Sequence, residues 1–282
     1  MFCSNCGYEL KEDTNFCPNC GLYRRNKLKT NMNFCPNCGT MIVSTVPSVP
    51  NVPNVPKAPS DPFIDLDGKA YKTVRINDQV WMAENLSYVG DGSKCYGEDG
   101  EVRVDFDNSK DLSNDEIQAN FNKYGRLYDW ETANKICPSG WRLPNNNDWN
   151  ELNSYICDKI PTKISKVGKH IKARDGWNSW YDNKGKEKSG NGDDKFGLAA
   201  LPGGCYDSSR CRFEFEGEYG CWWSATEDWH DKTEYGLVDS SKILTPAYAT
   251  HAYYFYMNNK NYTIQWNSRN KKDLCSVRYV KD

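Results

Sequence analysis

No stretch of the 282 residues approaches the roughly 20 consecutive apolar residues that a bilayer-spanning helix needs, so no membrane span is expected. The opening residues, Met1-Phe2-Cys3-Ser4-Asn5-Cys6, have neither the basic start nor the apolar run of a secretory leader, and the expected compartment is the cytoplasm. Charge of one sign is not in excess either. Lys and Arg number 36, Asp and Glu 38, and the formal net charge is −2. Such a balance gives no global pull toward nucleic acid or an acidic membrane surface. Histidine is scarce: His170, His230 and His251 fall in no recognisable metal or triad motif, which argues against an enzyme built on histidine chemistry.

What the sequence does have is aromatic residues and cysteine. Mean hydropathy is −0.83, yet there are ten Trp and eighteen Tyr. Low hydropathy with many large rings predicts a folded, loop-rich domain whose core is aromatic. Of the thirteen cysteines, six have metal-ligand spacing, which requires reduced thiolates. The other seven are odd in number, so at least one has no partner within the chain.

Residues 1–42 are cysteine-rich and repetitive. Cys3, Cys6, Cys17 and Cys20 read C-x2-C-x10-C-x2-C, and Gly7 and Gly21 follow the two pairs. Two thiolates spaced by two residues close a knuckle on one ion, and two knuckles close a tetrahedron with no open position, which is a structural zinc site. So small a unit folds only with its metal. A third knuckle, Cys35-Pro36-Asn37-Cys38-Gly39, leaves three half-sites where two sites need four. It reads as a decayed second ribbon, as ligands exchanged with the first site, or as half of a metal site shared with a second copy of the chain. Arg24, Arg25, Lys27 and Lys29 between the knuckles could contact phosphates, but only Tyr23 accompanies them and a solvated loop is the expectation.

Residues 43–60 place Pro47, Pro50, Pro53, Pro56 and Pro59 at every third position. Polyproline II has about three residues per turn, so the prolines line one side of an extended rod of roughly 55 Å. A spacer is expected, with docking to an SH3-like partner as the sharper alternative. Residues 61–282 form the third piece. Alternation at Tyr71-Lys72-Thr73-Val74-Arg75-Ile76 predicts a strand. Leu127, Trp130 and Ala133 predict a helix over about 126–136, and a second helix follows Pro144, capped by Asn145 or Asn146, with Trp149, Leu152 and Ile156 as its stripe. Gly/Asn/Asp-rich stretches such as 183–197 read as loops. The fold class is α+β, with two helices and short antiparallel strands, preceded by a small zinc ribbon.

Two resemblances add to this. The segment MFCSNCGYELKEDTNFCPNCG (1–21) resembles short bacterial zinc-ribbon domains, which implies an interaction or anchoring module. Six further blocks resemble the Fibrobacter succinogenes major paralogous domain family. They are Asp65-Leu66-Asp67-Gly68 with TVRINDQVWMAENL (73–86), YGRLYDWETA (124–133), CPSGWRLPNNNDW (137–149), FGLAALPGG (196–204), GCWWSATE (220–227) and CSVRYVKD (275–282). The resemblance implies a C-type lectin-like fold over 61–282, related to the formylglycine-generating enzyme domain. Family members commonly have Cys where this chain has Tyr279, and a second Cys before the YGRLY block, where residues 99–123 have none. Both departures put the disulfides of secreted relatives in doubt and agree with free thiols. The formylglycine-generating relatives use a late pair of catalytic cysteines, whereas Cys275 is the only cysteine after Cys221 here, and Cys205-x5-Cys211 has no known mechanism.

The expected function is therefore recognition rather than catalysis, with an enzyme on the formylglycine-generating fold or a secreted surface adhesin as alternatives. The candidate ligand surface is the run 248–270, where rings alternate with amides: Tyr254, Tyr256, Asn258, Tyr262, Trp266, Asn267 and Arg269. Rigid rings beside adaptable amides suit a protein or carbohydrate ligand. In a strand Tyr254 and Tyr256 share one face, expected to be exposed, and Tyr253 and Phe255 the other, expected to be core. Trp81, Trp141, Trp222 and Trp223 are expected in the core. Asp193 and Asp194 are weighed as calcium ligands, though an Asp pair in a loop is more often only solvated.

Overall fold

The structure is a computed structural model that describes residues 62–103, 108–160, 164–228 and 250–282. Cys3, Cys6, Cys17, Cys20, Cys35 and Cys38, and the proline segment 43–60, lie outside the described residues.

The described chain starts with four short strands, β1 Phe63–Ile64, β2 Ala70–Tyr71, β3 Thr73–Ile76 and β4 Gln79–Met82. Then come β5 Ser93–Cys95, β6 Glu101–Arg103, β7 Ser109–Lys110 and helix α1 Asn114–Tyr124. β8 Arg126–Tyr128, α2 Trp130–Lys135, β9 Trp141–Arg142 and α3 Asn146–Lys159 follow, with a 3-10 segment at Ile164–His170. The rest is β10 Trp180–Tyr181, β11 Glu187–Lys188, β12 Gly203–Asp207, β13 Arg212–Glu216, β14 Tyr219–Asp228, β15 His251–Asn258, β16 Gln265–Asn270 and β17 Val280–Lys281. A seven-stranded sheet runs β16-β15-β14-β12-β13-β6-β7, and a four-stranded sheet runs β3-β4-β17-β9. Most pairings are antiparallel as expected, but β12 with β14 and β13 with β6 are parallel, so the large sheet is mixed.

The helix after Pro144 forms as predicted. The Asn145 side chain accepts from the N–H groups of Asn147 and Asp148, and Asp148 returns the bond to Asn145 N, a reciprocal cap. The Asp148 carboxylate also takes both Arg142 terminal nitrogens, at 2.5 and 2.8 Å. The expected helix at 126–136 is half strand. Arg126, Leu127 and Tyr128 pair with β5 and all three are buried, so the helix begins only after Asp129, which caps Thr132 N at 2.8 Å. A third helix, α1, was not anticipated. Its signature is the Ser113/Glu116 capping box, and it stops at Gly125, whose φ of +74° and Cβ position, 2.5 Å from Leu86 O, only glycine accommodates.

Two cores flank the β14–β15 ribbon. One gathers Trp81, Trp149, Trp222, Phe255 and Met257, with Trp149 stacked on Phe255 at 5.1 Å. The other gathers Phe63, Met82, Tyr128, Trp223, Ala252 and Tyr279. Trp81, Trp222 and Trp223 are buried as expected, and Trp141 packs half-buried against the second core.

Candidate functional site

Residues paired across neighbouring strands share a face of the sheet. The register sets Tyr219 opposite Asn258, Cys221 opposite Tyr256 and Trp223 opposite Tyr254. On the other side of β15, Tyr256 faces Gln265, Tyr254 faces Asn267 and Ala252 faces Arg269. Five of the seven candidate residues, Tyr254, Tyr256, Asn258, Asn267 and Arg269, therefore lie on one face, joined by Tyr219 and Gln265. Trp266 lies on the opposite face, paired with Phe255, 45% exposed and edge-on to Tyr253 at 5.5 Å. Tyr262 sits beyond the end of β15, where its ring covers the Lys172 ammonium at 5.0 Å.

The predicted register holds but the predicted exposure does not. Phe255 is core, yet Tyr254 and Tyr256 are half-buried against the second core, and Tyr253 is half-buried with its hydroxyl near Asp228. The reason is that both faces of β15 are covered, so alternation separates one core from another rather than core from water.

Tyr254 and Tyr256 stack at 5.5 Å with 27° between planes, and Tyr256 and Tyr219 at 6.0 Å with 30°. The three rings form a ladder with apolar flanks packed inward. Among the described residues, none of the three hydroxyls has a hydrogen-bond partner, and none is sealed from solvent. Burial of the rings raises all three phenol pKa values, so the hydroxyls stay protonated and can donate. Asn267 and Gln265 flank the ladder, with the Asn258 amide donating to Gln265 Oε1 at 3.4 Å. Arg269, by contrast, points inward. Its Nε donates to Asp273 Oδ2 at 2.9 Å, Nη1 to Cys275 Sγ at 3.6 Å and Nη2 to Tyr206 O at 3.3 Å, under the Tyr254 ring. It positions the ladder rather than reaching a ligand.

A second concavity, of about 670 Å³, was not legible in the sequence. Lys69, Tyr71, Glu84, Asn85, Tyr124 and Arg174 line it. Its floor is a buried polar network. Arg278, 1% exposed, donates to Asn85 Oδ1 at 2.8 Å, to Ala199 O at 2.9 Å and to Leu198 O. Asn85 also accepts from Trp222 Nε1 at 3.0 Å and donates to Tyr124 O at 3.0 Å. Burial holds the Arg278 pKa down to about 10. Asp193 and Asp194 point to separate partners. Asp193 faces His170 Nδ1 at 3.0 Å, and Asp194 accepts from Ala199 N at 2.8 Å. Among the described residues no group of three or more His, Cys, Asp or Glu side chains is placed to hold a metal ion.

Residues 74–281 match the model of the Fibrobacter succinogenes major domain. The chain belongs to that family. Residues 2–22 match a zinc-ribbon domain. No curated protein and no solved structure matches the chain. In this member of the Fibrobacter succinogenes major domain family five of the six blocks of the sequence converge in space. Asn85 from the first, Tyr124 from the second, Leu198 and Ala199 from the fourth, Trp222 from the fifth and Arg278 from the last meet in the one network under the cleft. Tyr219, the ladder residue that the sequence reading missed, had a signal: it stands two and four positions before Cys221 and Trp223, in phase with them.

Proposed function

We propose that this chain is a non-catalytic recognition protein of the cytoplasm, whose C-type lectin-like domain binds a protein or carbohydrate ligand on the tyrosine ladder. The zinc ribbon acts as a structural interaction module, with Cys35 and Cys38 available for self-association. One observation carries the reading: three adjacent, half-buried tyrosines whose hydroxyls have no partner among the described residues, bordered by the amides of Asn267 and Gln265. Half-buried rings are already ordered, so little side-chain entropy is lost on binding, and free hydroxyls give direction to the contact.

The full chain probed on glycan and peptide arrays tests this. Tyr256→Ala and Tyr219→Ala should each reduce the bound signal about fivefold or more, in line with ring contacts worth on the order of 1 kcal/mol beyond their area, at a smaller loss of stability than a full core truncation. Phe255→Ala, which empties the stack on Trp149, should instead lose about 3 kcal/mol of stability. Array binding unchanged in Tyr256→Ala and Tyr219→Ala sinks the ladder. The cleft is the second reading, favoured by the convergence of the family's blocks beneath it, and Arg174→Glu separates the two, since Arg174 lines only the cleft.

The ribbon carries its own prediction. Reduced full-length protein should contain at least one zinc per chain, held by Cys3, Cys6, Cys17 and Cys20. Metal analysis should show that zinc lost in Cys3→Ser and Cys20→Ser and kept in Cys35→Ser. Loss of all metal in Cys35→Ser overturns the ligand assignment.

A further inference from the structure

Three cysteines far apart in the sequence meet at a fork in the seven-stranded sheet. β12 and β14 pair in parallel at Gly204 and Gly220. They then separate, and the segment 274–276 enters between them, with Leu274 bridged to Tyr206 and Ser276 to Trp222. Ser276 N donates to Cys221 O at 3.0 Å, which fixes the wedge. Cys205, Cys221 and Cys275 therefore surround the tip of the fork. They are 4, 3 and 0% exposed, belong to one core cluster and stand as free thiols. Cys205 and Cys221 each follow a residue of the Gly204–Gly220 pair, and Arg269 reaches the group from the side, touching Cys275 Sγ at 3.6 Å. The tyrosine ladder lies directly over them, since Tyr256 is the cross-strand partner of Cys221.

The guanidinium is shared between Asp273, Tyr206 O and the Cys275 thiol. The arrangement does have a chemical consequence. The neighbouring Cys221 thiol and the Arg269 charge hold Cys205 below the usual thiol range, while Cys221 is pushed well up by its Cys205 neighbour and by burial. Cys275 is pushed up to about 12 by burial. A thiolate held against a neighbouring thiol is the arrangement in which one sulfur attacks and the other resolves.

We propose that Cys205 and Cys221 are a redox pair that closes to a disulfide on exposure to a small peroxide, leaving Cys275 as a thiol. The Cys205 thiolate attacks one peroxide oxygen, the O–O bond breaks, and the departing hydroxide takes up a proton to become water. Cys205 is then a sulfenic acid. The Cys221 sulfur attacks the Cys205 sulfur, the S–O bond breaks, and the hydroxide leaves with the Cys221 proton as a second water. Two electrons pass from the two sulfurs to the peroxide. The site is independent of whether the ladder binds a ligand.

The test is hydrogen peroxide titration of the reduced full chain at neutral pH, stopped with acid and iodoacetamide and mapped by non-reducing peptide mass spectrometry. The expected product is a Cys205–Cys221 crosslink. Cys205 should lose its alkylation roughly tenfold or more faster than Cys137, whose thiol burial pushes up to about 12. Cys275→Ser should keep the crosslink, and Cys205→Ser and Cys221→Ser should lose it. If a serine variant does not fold, the map of the native chain decides. The proposal is overturned if the link runs to Cys275, if Cys205 and Cys221 stay fully alkylatable, or if the same link forms as fast in guanidinium-unfolded protein.

Discussion

Arg278→Ala is expected to lose on the order of 5 kcal/mol of stability, enough to leave a domain of ordinary stability largely unfolded. The side chain is fully enclosed and donates to Asn85 Oδ1, Leu198 O, Ala199 O and Met82 O. Truncation leaves those acceptors in a low-dielectric interior with a cavity beside them. Each unmade bond costs about 1–3 kcal/mol, and the cavity adds to it. Arg278→Lys should recover less than half, because an ammonium cannot reproduce the fork that spans Asn85 and the 198–199 carbonyls. Urea unfolding followed by tryptophan fluorescence measures both, and a loss under 1 kcal/mol for Arg278→Ala refutes the role of Arg278 as the floor of the cleft.

Lys172→Met should cost about 4 kcal/mol. The Lys172 ammonium is enclosed by Gly190 O at 3.2 Å, Asn258 O at 2.5 Å and Asn261 O at 2.9 Å, between the Trp177 and Tyr262 rings. It ties the 190 loop to the turn after β15, and methionine leaves three carbonyls without a donor. A pH dependence accompanies the loss. Burial lowers the Lys172 pKa from 10.5 to about 7. Between these values the unfolded chain binds more protons than the folded one, so wild-type stability rises as pH rises through that window. The penalty of holding the charge is full below about pH 7 and gone above the unfolded pKa. The variant lacks this term, so the gap between wild type and Lys172→Met should widen from pH 7 to 10. Thermal melts of both proteins across that range check it, and a gap that narrows reverses the sign assigned to Lys172.

Neither of these lysine and arginine positions could be read from the sequence, because their partners are mostly backbone carbonyls, which carry no side-chain signature, and the one side chain among them, Asn85, lies 193 residues from Arg278. What was legible was local. The Asn145 cap and the Trp149–Leu152–Ile156 stripe placed α3, and period-two alternation placed Phe255 inward and Tyr254 with Tyr256. Failures came where the local signal had two meanings. Leu127, Trp130 and Ala133 have helical spacing, but Leu127 belongs to a strand and the spacing crosses the Asp129 cap. α1 has only Ile117, Phe121 and Tyr124 on its inner side, so its capping box was a better sign than its hydrophobicity. The splitting of the candidate ligand set has a topological cause. The turn between β15 and β16 fixes which residues face each other, and that pairing sends Trp266 to the side opposite Tyr256. The thiol fork is likewise a product of topology, since Cys205, Cys221 and Cys275 become neighbours only when segment 274–276 enters the sheet.

The place of β17 in the four-stranded sheet has a consequence for how the protein is made. Val280 pairs with Trp81 on one side and Arg142 on the other, so a central strand of this sheet is among the last of the described residues to leave the ribosome. Until then β4 and β9 have no partner between them, and Trp81 and Trp149 have an incomplete core around them. The four-stranded sheet therefore closes only after the rest of the described domain has been made, a long-range pairing that is slow to form.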